Sequence, residues 1–549
     1  MDQPNLWKRL ENKQADWKRD YRLFQLTRQI TNNTQPNPDK PTVAFFVAST
    51  RITGISLNAA FSFLAACGLQ VADIPVVYFG CQAGMSRCVM GTQSRDPSQP
   101  PPCTACISQS RRLFAHAPTI DFSYREDELL KQAIDQLTVP ELSQFAYPAT
   151  PEMGNVGGDV PLGSLVLPSI RWVNRLHNLL DDGNTRFLFR EFIQSAWRVA
   201  TEFIRFLNQV DPQIVVVFNG VLFPEATVRW FAQQRGLRVI SHEVGFKPFS
   251  AFFTDQEATA YPIEIPANYQ LSEEENFALD QYLEQRFQGK FTMAGIQFWP
   301  EIRQTDADFN QKAKQYDQIV PVFTNVIFDT SQIHANTVFE TMFEWLDLVL
   351  EVINNHPETL FVIRAHPDEL RAGKKSQESV PMWVEENRIN ELDNVIFIAP
   401  NEYLSSYDLI QRSNIVLVYN SSIGLEASLM GKAVICGGKS RFTEYETVYF
   451  PNTPEEYQER VEELLGMKGS SEASNQHQAN ARRFMYFQLF KASIPFDEFL
   501  EEHTQPGYVR IKPLSWRQFR TENSATMKTL VEGIIHQKPF LMGDSNSHG

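Results

Sequence analysis

Two hydrophobic patterns take turns along this chain. Short apolar runs rich in Val, Ile and Phe break abruptly into polar or glycine-rich residues, and the stretches between them space their apolar residues by three and four. Thr42 to Ala48 is the first run and ends at Ser49-Thr50-Arg51-Ile52-Thr53-Gly54; a helix is predicted from Ser56 to Cys67, and a second strand from Ile74 to Tyr78. A helical pattern from Arg190 to Leu207 leads to Ile214 to Phe218, which ends in Asn219-Gly220. After a helix around Ala226 to Arg235, Leu237 to Ile240 forms another strand and ends in Ser241-His242-Glu243. Ile319 to Asn325 opens a second series, followed by a helix carrying Val338, Met342, Leu346, Val349 and Ile353. Leu360 to Ile363 then breaks into Arg364-Ala365-His366-Pro367-Asp368-Glu369; Asn414 to Tyr419 breaks into Asn420-Ser421-Ser422-Ile423-Gly424; Ala433 to Cys436 ends at Gly437-Gly438.

Strands alternating with helices predict an α/β protein with parallel sheets, here two Rossmann-like domains. Ligands of such sheets bind outside the carboxyl ends of the strands. The Gly54 loop lacks the three-glycine dinucleotide fingerprint, so no NAD or FAD site is expected. The predicted organisation is an N-terminal helix and linker over 1–40, an acceptor domain over 41–300 with a cysteine-rich insertion at 81–106, a nucleotide-donor domain over 301–490, and C-terminal helices and tail over 491–549.

The polar strand ends carry the candidate chemistry. Ser421, Ser422 and Gly424 lie between a strand and a helix predicted through Leu425 to Met430, where hydroxyls and backbone N–H groups suit a phosphate. His366, held by Pro367 and flanked by Arg364 and Glu369, would donate to a phosphate oxygen from the neighbouring strand end. A simple turn at His366-Pro367 and a helix N-cap at the two serines are the competing readings.

Arg364 to Glu369, Tyr403 to Asp408, Tyr419 to Glu426 and Gly431 to Ile435 together resemble the C-terminal half of bacterial capsule polysaccharide biosynthesis proteins. That family contains glycosyltransferases built from two facing Rossmann-like domains (the GT-B architecture), Kdo transferases among them. The His-Pro and Ser-Ser pair is also similar to the motifs that hold the CMP phosphate in bacterial sialyltransferases. The resemblance implies a metal-independent enzyme moving a sugar from a CMP- or UDP-linked donor to a polysaccharide or glycolipid acceptor. On it, His366, Ser421 and Ser422 would hold the donor phosphate, Arg364 and Gly424 would complete the donor site, and Glu426 would reach the ribose. Arg441, after the third strand, would add a positive charge near the phosphates. A polyol-phosphate transferase, a nucleotide-sugar epimerase and a non-catalytic assembly protein are the alternatives.

An attacking sugar hydroxyl needs a base. In this architecture the base faces the donor from the N-terminal domain, which makes His242 and Glu243 the first candidates and Glu225 a reserve, better read as a cap or surface acid.

Composition adds limits. With 549 residues, 43% of them hydrophobic and 21% charged, the chain can build two or three cores. Its formal net charge of -15 argues against a nucleic-acid partner. No run suits a membrane span, and the start at Met1-Asp2-Gln3 lacks the order of a secretory signal, so a cytoplasmic protein is expected. Leu6 to Ile30 reads as a basic amphipathic helix with Leu6, Trp7, Leu10, Trp17, Tyr21, Phe24 and Ile30 as apolar positions; it either packs on its own domain or makes a peripheral contact with the inner face of a membrane. Cys81, Cys88, Cys103 and Cys106 fit a structural zinc, reduced thiols or a redox pair. No catalytic cofactor is expected. Gly466 to Asn480 reads as a polar, flexible stretch.

Overall fold

The computed structural model describes residues 6–154, 156–287, 304–328, 330–370, 375–402, 404–467, 472–505 and 507–543. Its strands are β1 (Val43–Val47), β2 (Val76–Cys81), β3 (Thr119–Phe122), β4 (Ile214–Phe218), β5 (Arg238–Val244), β6 (Ser250–Thr254), β7 (Gln318–Phe323), β8 (Thr359–Arg364), β9 (Val395–Ile398), β10 (Ile415–Val418), β11 (Ala433–Cys436) and β12 (Ile494–Pro495), with a small hairpin of β13 (Leu500–Glu502) and β14 (Val509–Ile511).

The apolar runs become strands because both faces of each sheet are covered. Every residue of β1, β6, β8, β10 and β11 is buried, as expected of strands sandwiched between helix layers. The first sheet runs β12-β6-β5-β4-β1-β2-β3 and the second β11-β10-β7-β8-β9. In the first, β5-β4-β1-β2-β3 is parallel; the second is parallel throughout. Both parallel sets have the doubly wound order in which the chain reverses direction beside the first strand, between β1 and β4 and between β7 and β10. The α/β class with two Rossmann-like domains is thus the fold the chain adopts.

The last part of the chain crosses back. Beyond β11, β12 adds antiparallel to β6 at the edge of the first sheet, and the helix Ala525–His536 packs on the helix Leu57–Val71. A Cβ on Gly68 would stand 2.5 Å from Met527 Sδ, so any side chain there would have to move the Met527 thioether aside. At one edge the two domains are joined by Glu378, whose carboxylate accepts from the backbone N–H groups of His177 (2.9 Å) and Asn178 (3.1 Å) and from the Asn178 side chain (2.9 Å).

Two expectations change. The N-terminal helix, Leu6–Asn33, buries Leu23, Leu26 and Ile30 in the core of the first domain, while Tyr21 and Phe24 are 48% and 59% exposed. Of the expected apolar positions Ile30 packs, on a face shared with Leu23 and Leu26 at three-and-four spacing, and Tyr21 and Phe24 do not; the side chains of Leu6, Trp7, Leu10 and Trp17 lie outside the described ones. The polar stretch expected to be flexible instead enters the helix Glu472–Tyr486, whose Ala481, Phe484 and Met485 fill the core of the second domain; residues 468–471 lie outside the described residues, as do Asn155 and Tyr403. Its polar residues occupy the outer positions of an amphipathic helix, which composition alone does not separate from a loop.

Candidate functional site

A cleft of about 770 Å³ runs between the carboxyl ends of both sheets. On the side of the second domain it is lined by His366, Asp368, Asn420, Ser421, Ser422 and Arg441.

Each of these is placed by a strand end. His366 follows β8 and its Nδ1 accepts from the Asp368 backbone N–H at 3.2 Å. In the neutral ring this leaves the proton on Nε2. Asn420, just past β10, accepts at Oδ1 from Asn325 (2.7 Å), which follows β7, and from Gln332 (3.1 Å), so the switch point of the second sheet is closed by a side-chain bridge. The helix Ile423–Leu429 starts directly after Ser422, two residues before the expected Leu425, and the Ser422 hydroxyl makes no capping bond to it. The bland reading of that serine as an N-cap thus does not describe its side chain, which stands in the cleft wall.

Arg441 reaches the cleft from the loop after β11. Its Nε donates to Gln488 Oε1 at 2.7 Å, and its guanidinium lies 4.5 Å from the centre of the Phe246 ring of the first domain. Burial pushes its pKa down to about 10, which leaves it charged at neutral pH. Among the described residues no carboxylate forms an ion pair with it, so this cation calls for an anion from outside the chain.

The facing wall comes from the first domain. Glu243, on β5, accepts from Asn58 Nδ2 (3.1 Å), Asn219 Nδ2 (2.9 Å) and the Val244 N–H (2.8 Å). Asn219, in left-handed conformation at the end of β4, also caps the next turn by accepting at Oδ1 from Val221 (3.1 Å) and Leu222 (3.2 Å). One asparagine therefore orients the Glu243 carboxylate and holds the turn that leads to the helix Glu225–Gln234. Glu225, whose expected place was a cap or the surface, is 8% exposed and lines the cleft.

Several sequence-predicted site residues lie elsewhere. His242 is fully buried, 2.8 Å from the Ser62 hydroxyl at Nε2 and among the rings of Phe61, Phe218 and Phe253. Burial pushes its pKa down to about 3. Side chains alternate along a strand, so β5 sends Glu243 to the cleft and His242 into the core. Glu426 is absent from the cleft wall: at 3% exposure it pairs with Arg286 (2.5 Å) and accepts from the Tyr407 hydroxyl. Arg364 is 4% exposed and donates to the Leu404 carbonyl, because β8 ends beneath the loop rather than in the opening. Gly424 is packed under the cleft, where a Cβ would stand 2.8 Å from Val418 Cγ1; it brings the helix onto β10.

The four clustered cysteines are free thiols. Burial pushes Cys81 and Cys88 up to about 12 and Cys103 upward, and among the described residues no group of three or more His, Cys, Asp or Glu side chains is arranged to hold a metal ion. Cys88 faces the cleft, and Cys106 is turned to the Ser49 hydroxyl at 3.3 Å.

The His334–Glu257 contact was not visible in the sequence. His334, on the short turn Thr330–His334, meets the Glu257 carboxylate at 2.5 Å, which links the two domains beside the cleft. Neither residue ends an apolar run, so no local pattern marks them.

Glu369, next to the His-Pro turn, is 1% exposed and accepts from the Val380 N–H at 3.2 Å. Burial pushes its pKa from an ordinary 4.5 up to about 8. As pH rises through this window the unfolded chain gives up the proton first, so stability falls from about pH 4.5 to about 8 and levels off above. Glu369→Gln is expected to remove this residue's share of the slope, leaving that of Glu225, and to gain on the parent between pH 5 and pH 8 by up to ~4–5 kcal/mol at 1.36 kcal/mol per pKa unit; urea unfolding at pH 5 and pH 8 measures it, and parallel slopes in both proteins would refute it.

Residues 253–446 match the family model described as capsule polysaccharide biosynthesis protein. The match runs from the end of β6 past β11 and includes His366, Ser421 and Ser422. No curated protein matches the chain. Among solved structures, a Thermosulfurimonas dismutans KpsC, beta Kdo 2,4 transferase, aligns at 12% identity over 56% of this chain and 88% of its own, with a TM-score of 0.34. The UDP-GlcNAc 2-epimerase of Methanocaldococcus jannaschii aligns at 9% identity over 81% of this chain and 98% of its own, with a TM-score of 0.27. Among the described residues no helix is long and apolar enough to cross a membrane.

Proposed function

We propose that the protein is a glycosyltransferase that moves a sugar from a CMP- or UDP-linked donor to a polysaccharide or glycolipid acceptor. The observation that carries this reading is the set of groups at one end of the cleft: Arg441, half-buried and without a carboxylate ion pair among the described residues, shares the wall with His366 and with the Ser421 and Ser422 hydroxyls. A cation, an imidazole N–H and two hydroxyls suit the diphosphate or monophosphate of an activated sugar and the charge that grows on it as the glycosidic bond breaks. Across the cleft the Glu243 carboxylate, oriented by Asn58 and Asn219, takes the proton of the attacking acceptor hydroxyl. Holding both substrates between two rigid sheets supplies the proximity that the displacement needs. The leaving phosphate is met by side chains, so transfer proceeds without a divalent ion in the chemical step.

A thermal-shift screen against CMP, CDP, UDP, GDP and their sugar conjugates tests the donor half. A nucleotide at a hundred times its dissociation constant stabilises by ~2.7 kcal/mol. Selective stabilisation by one base, abolished in Arg441→Ala, is expected; no response to any nucleotide would overturn the reading.

A further inference from the structure

The facing wall of the cleft holds two carboxyl groups in opposite surroundings. Glu243 is met by three N–H donors. Glu225, joined to it through the Asn219 turn, sits beside Leu222 and Phe223, which are 8% and 0% exposed, and lines the same cleft. Among the described residues the one hydrogen bond to its carboxyl comes from its own backbone N–H. A carboxyl more than nine-tenths buried with a single N–H partner is poorly served as an anion. It is well served as an acid whose O–H points at an oxygen entering the cleft.

Resting on the glycosyltransferase reading, we propose that Glu225 works as a neutral carboxylic acid that donates a hydrogen bond to a hydroxyl or ring oxygen of the acceptor sugar, so that this wall is the acceptor subsite. The base role stays with Glu243. Two carboxyls pushed apart by their surroundings divide acid and base roles between them.

Burial supports this protonation state, pushing the Glu225 pKa from an ordinary 4.5 up to about 8. The charged and titratable groups on the elements packed against it leave burial as the cause. Arg229, on its own helix, lies 3.7 Å from Glu257; Arg198, Glu202 and Arg205, on the helix Gly183–Val210, bond among themselves at 2.8 and 2.6 Å. Arg171, on the helix Leu162–Asn174, is drawn to Glu378, and His242 on β5 is buried and neutral. Acceptor binding should therefore weaken as pH rises through about 8, when the donor proton is lost.

The test uses the full chain with methyl hexopyranosides (gluco, galacto, manno and N-acetylgluco) as acceptor probes, read by saturation-transfer NMR with CMP or UDP present, from pH 6.5 to 9.5. At least one glycoside is expected to bind at pH 6.5 and to lose about tenfold in affinity by pH 9.5. Glu225→Ala should lose it at every pH, and Glu225→Gln, which keeps a neutral N–H donor, should restore it without the pH dependence. An isotope-edited infrared spectrum of Glu-labelled protein reads the proton directly: a carboxylic-acid band at pH 7 that remains in Glu369→Gln and is lost when Glu225→Gln is added supports the proposal whether or not the alanine variant folds, and a spectrum unchanged by Glu225→Gln overturns it. Binding that is flat with pH in the parent, or Gln as weak as Ala, also overturns it, since either makes the residue an ordinary contact or an ionised base. Nucleotide binding with no glycoside bound defeats this proposal alone; loss of both defeats the glycosyltransferase reading as well.

Discussion

His366→Ala is expected to lower turnover by ~10²–10³, the usual cost of removing one well-placed donor from a site of developing negative charge. The side chain stands in the cleft wall at the end of β8, where its Nδ1 accepts from the neighbouring Asp368 N–H at 3.2 Å. Its removal therefore leaves the two cores intact and the unfolding transition unchanged. Because the imidazole acts on charge that grows during bond cleavage, the loss should fall on kcat more than on KM for the donor. Steady-state rates with the nucleotide sugar found in the thermal screen decide it. Turnover equal to that of the parent would remove His366 from the chemistry.

Glu426→Ala has the opposite profile, a large loss of stability with the cleft untouched. Glu426 and Arg286 pair at 2.5 Å with side chains 4% and 8% exposed, and Tyr407 donates to the second carboxylate oxygen. Burial alone would push the Arg286 pKa down, but the Glu426 carboxylate more than reverses it and raises it. Taking away one partner strands the other charge in the core, which typically costs ~3–5 kcal/mol. Urea unfolding should show that shift. At a temperature where the variant is folded, nucleotide stabilisation should persist; its loss there would return Glu426 to the ribose.

Residues close in sequence also divide their roles. Ser421 and Glu426 sit in one motif that resembles the capsule family, with four residues between them, and yet one faces the cleft and the other locks a helix to the chain before the second domain. Motif membership marks the region; burial assigns the role.

Much of the architecture was determined by the sequence alone. An apolar run that breaks into Asn, Ser or His must be buried along its length and wet at its end, so β1, β4, β5, β8 and β10 and the polar turns after them were legible from local pattern. The same holds for the cleft, since parallel strands deliver their ends to one side. His366, Ser421, Ser422 and Glu243 were found in this way. Only the tertiary structure decided which of two adjacent residues faces the cleft, as with His242 and Glu243, because alternation along a strand tells that they differ and not which sheet face is covered. It alone brought Arg441 beside Phe246 and left Glu225 in an apolar wall, since both environments are made by segments far apart in the chain. Charge and protonation depend on burial, and burial is a property of the folded whole.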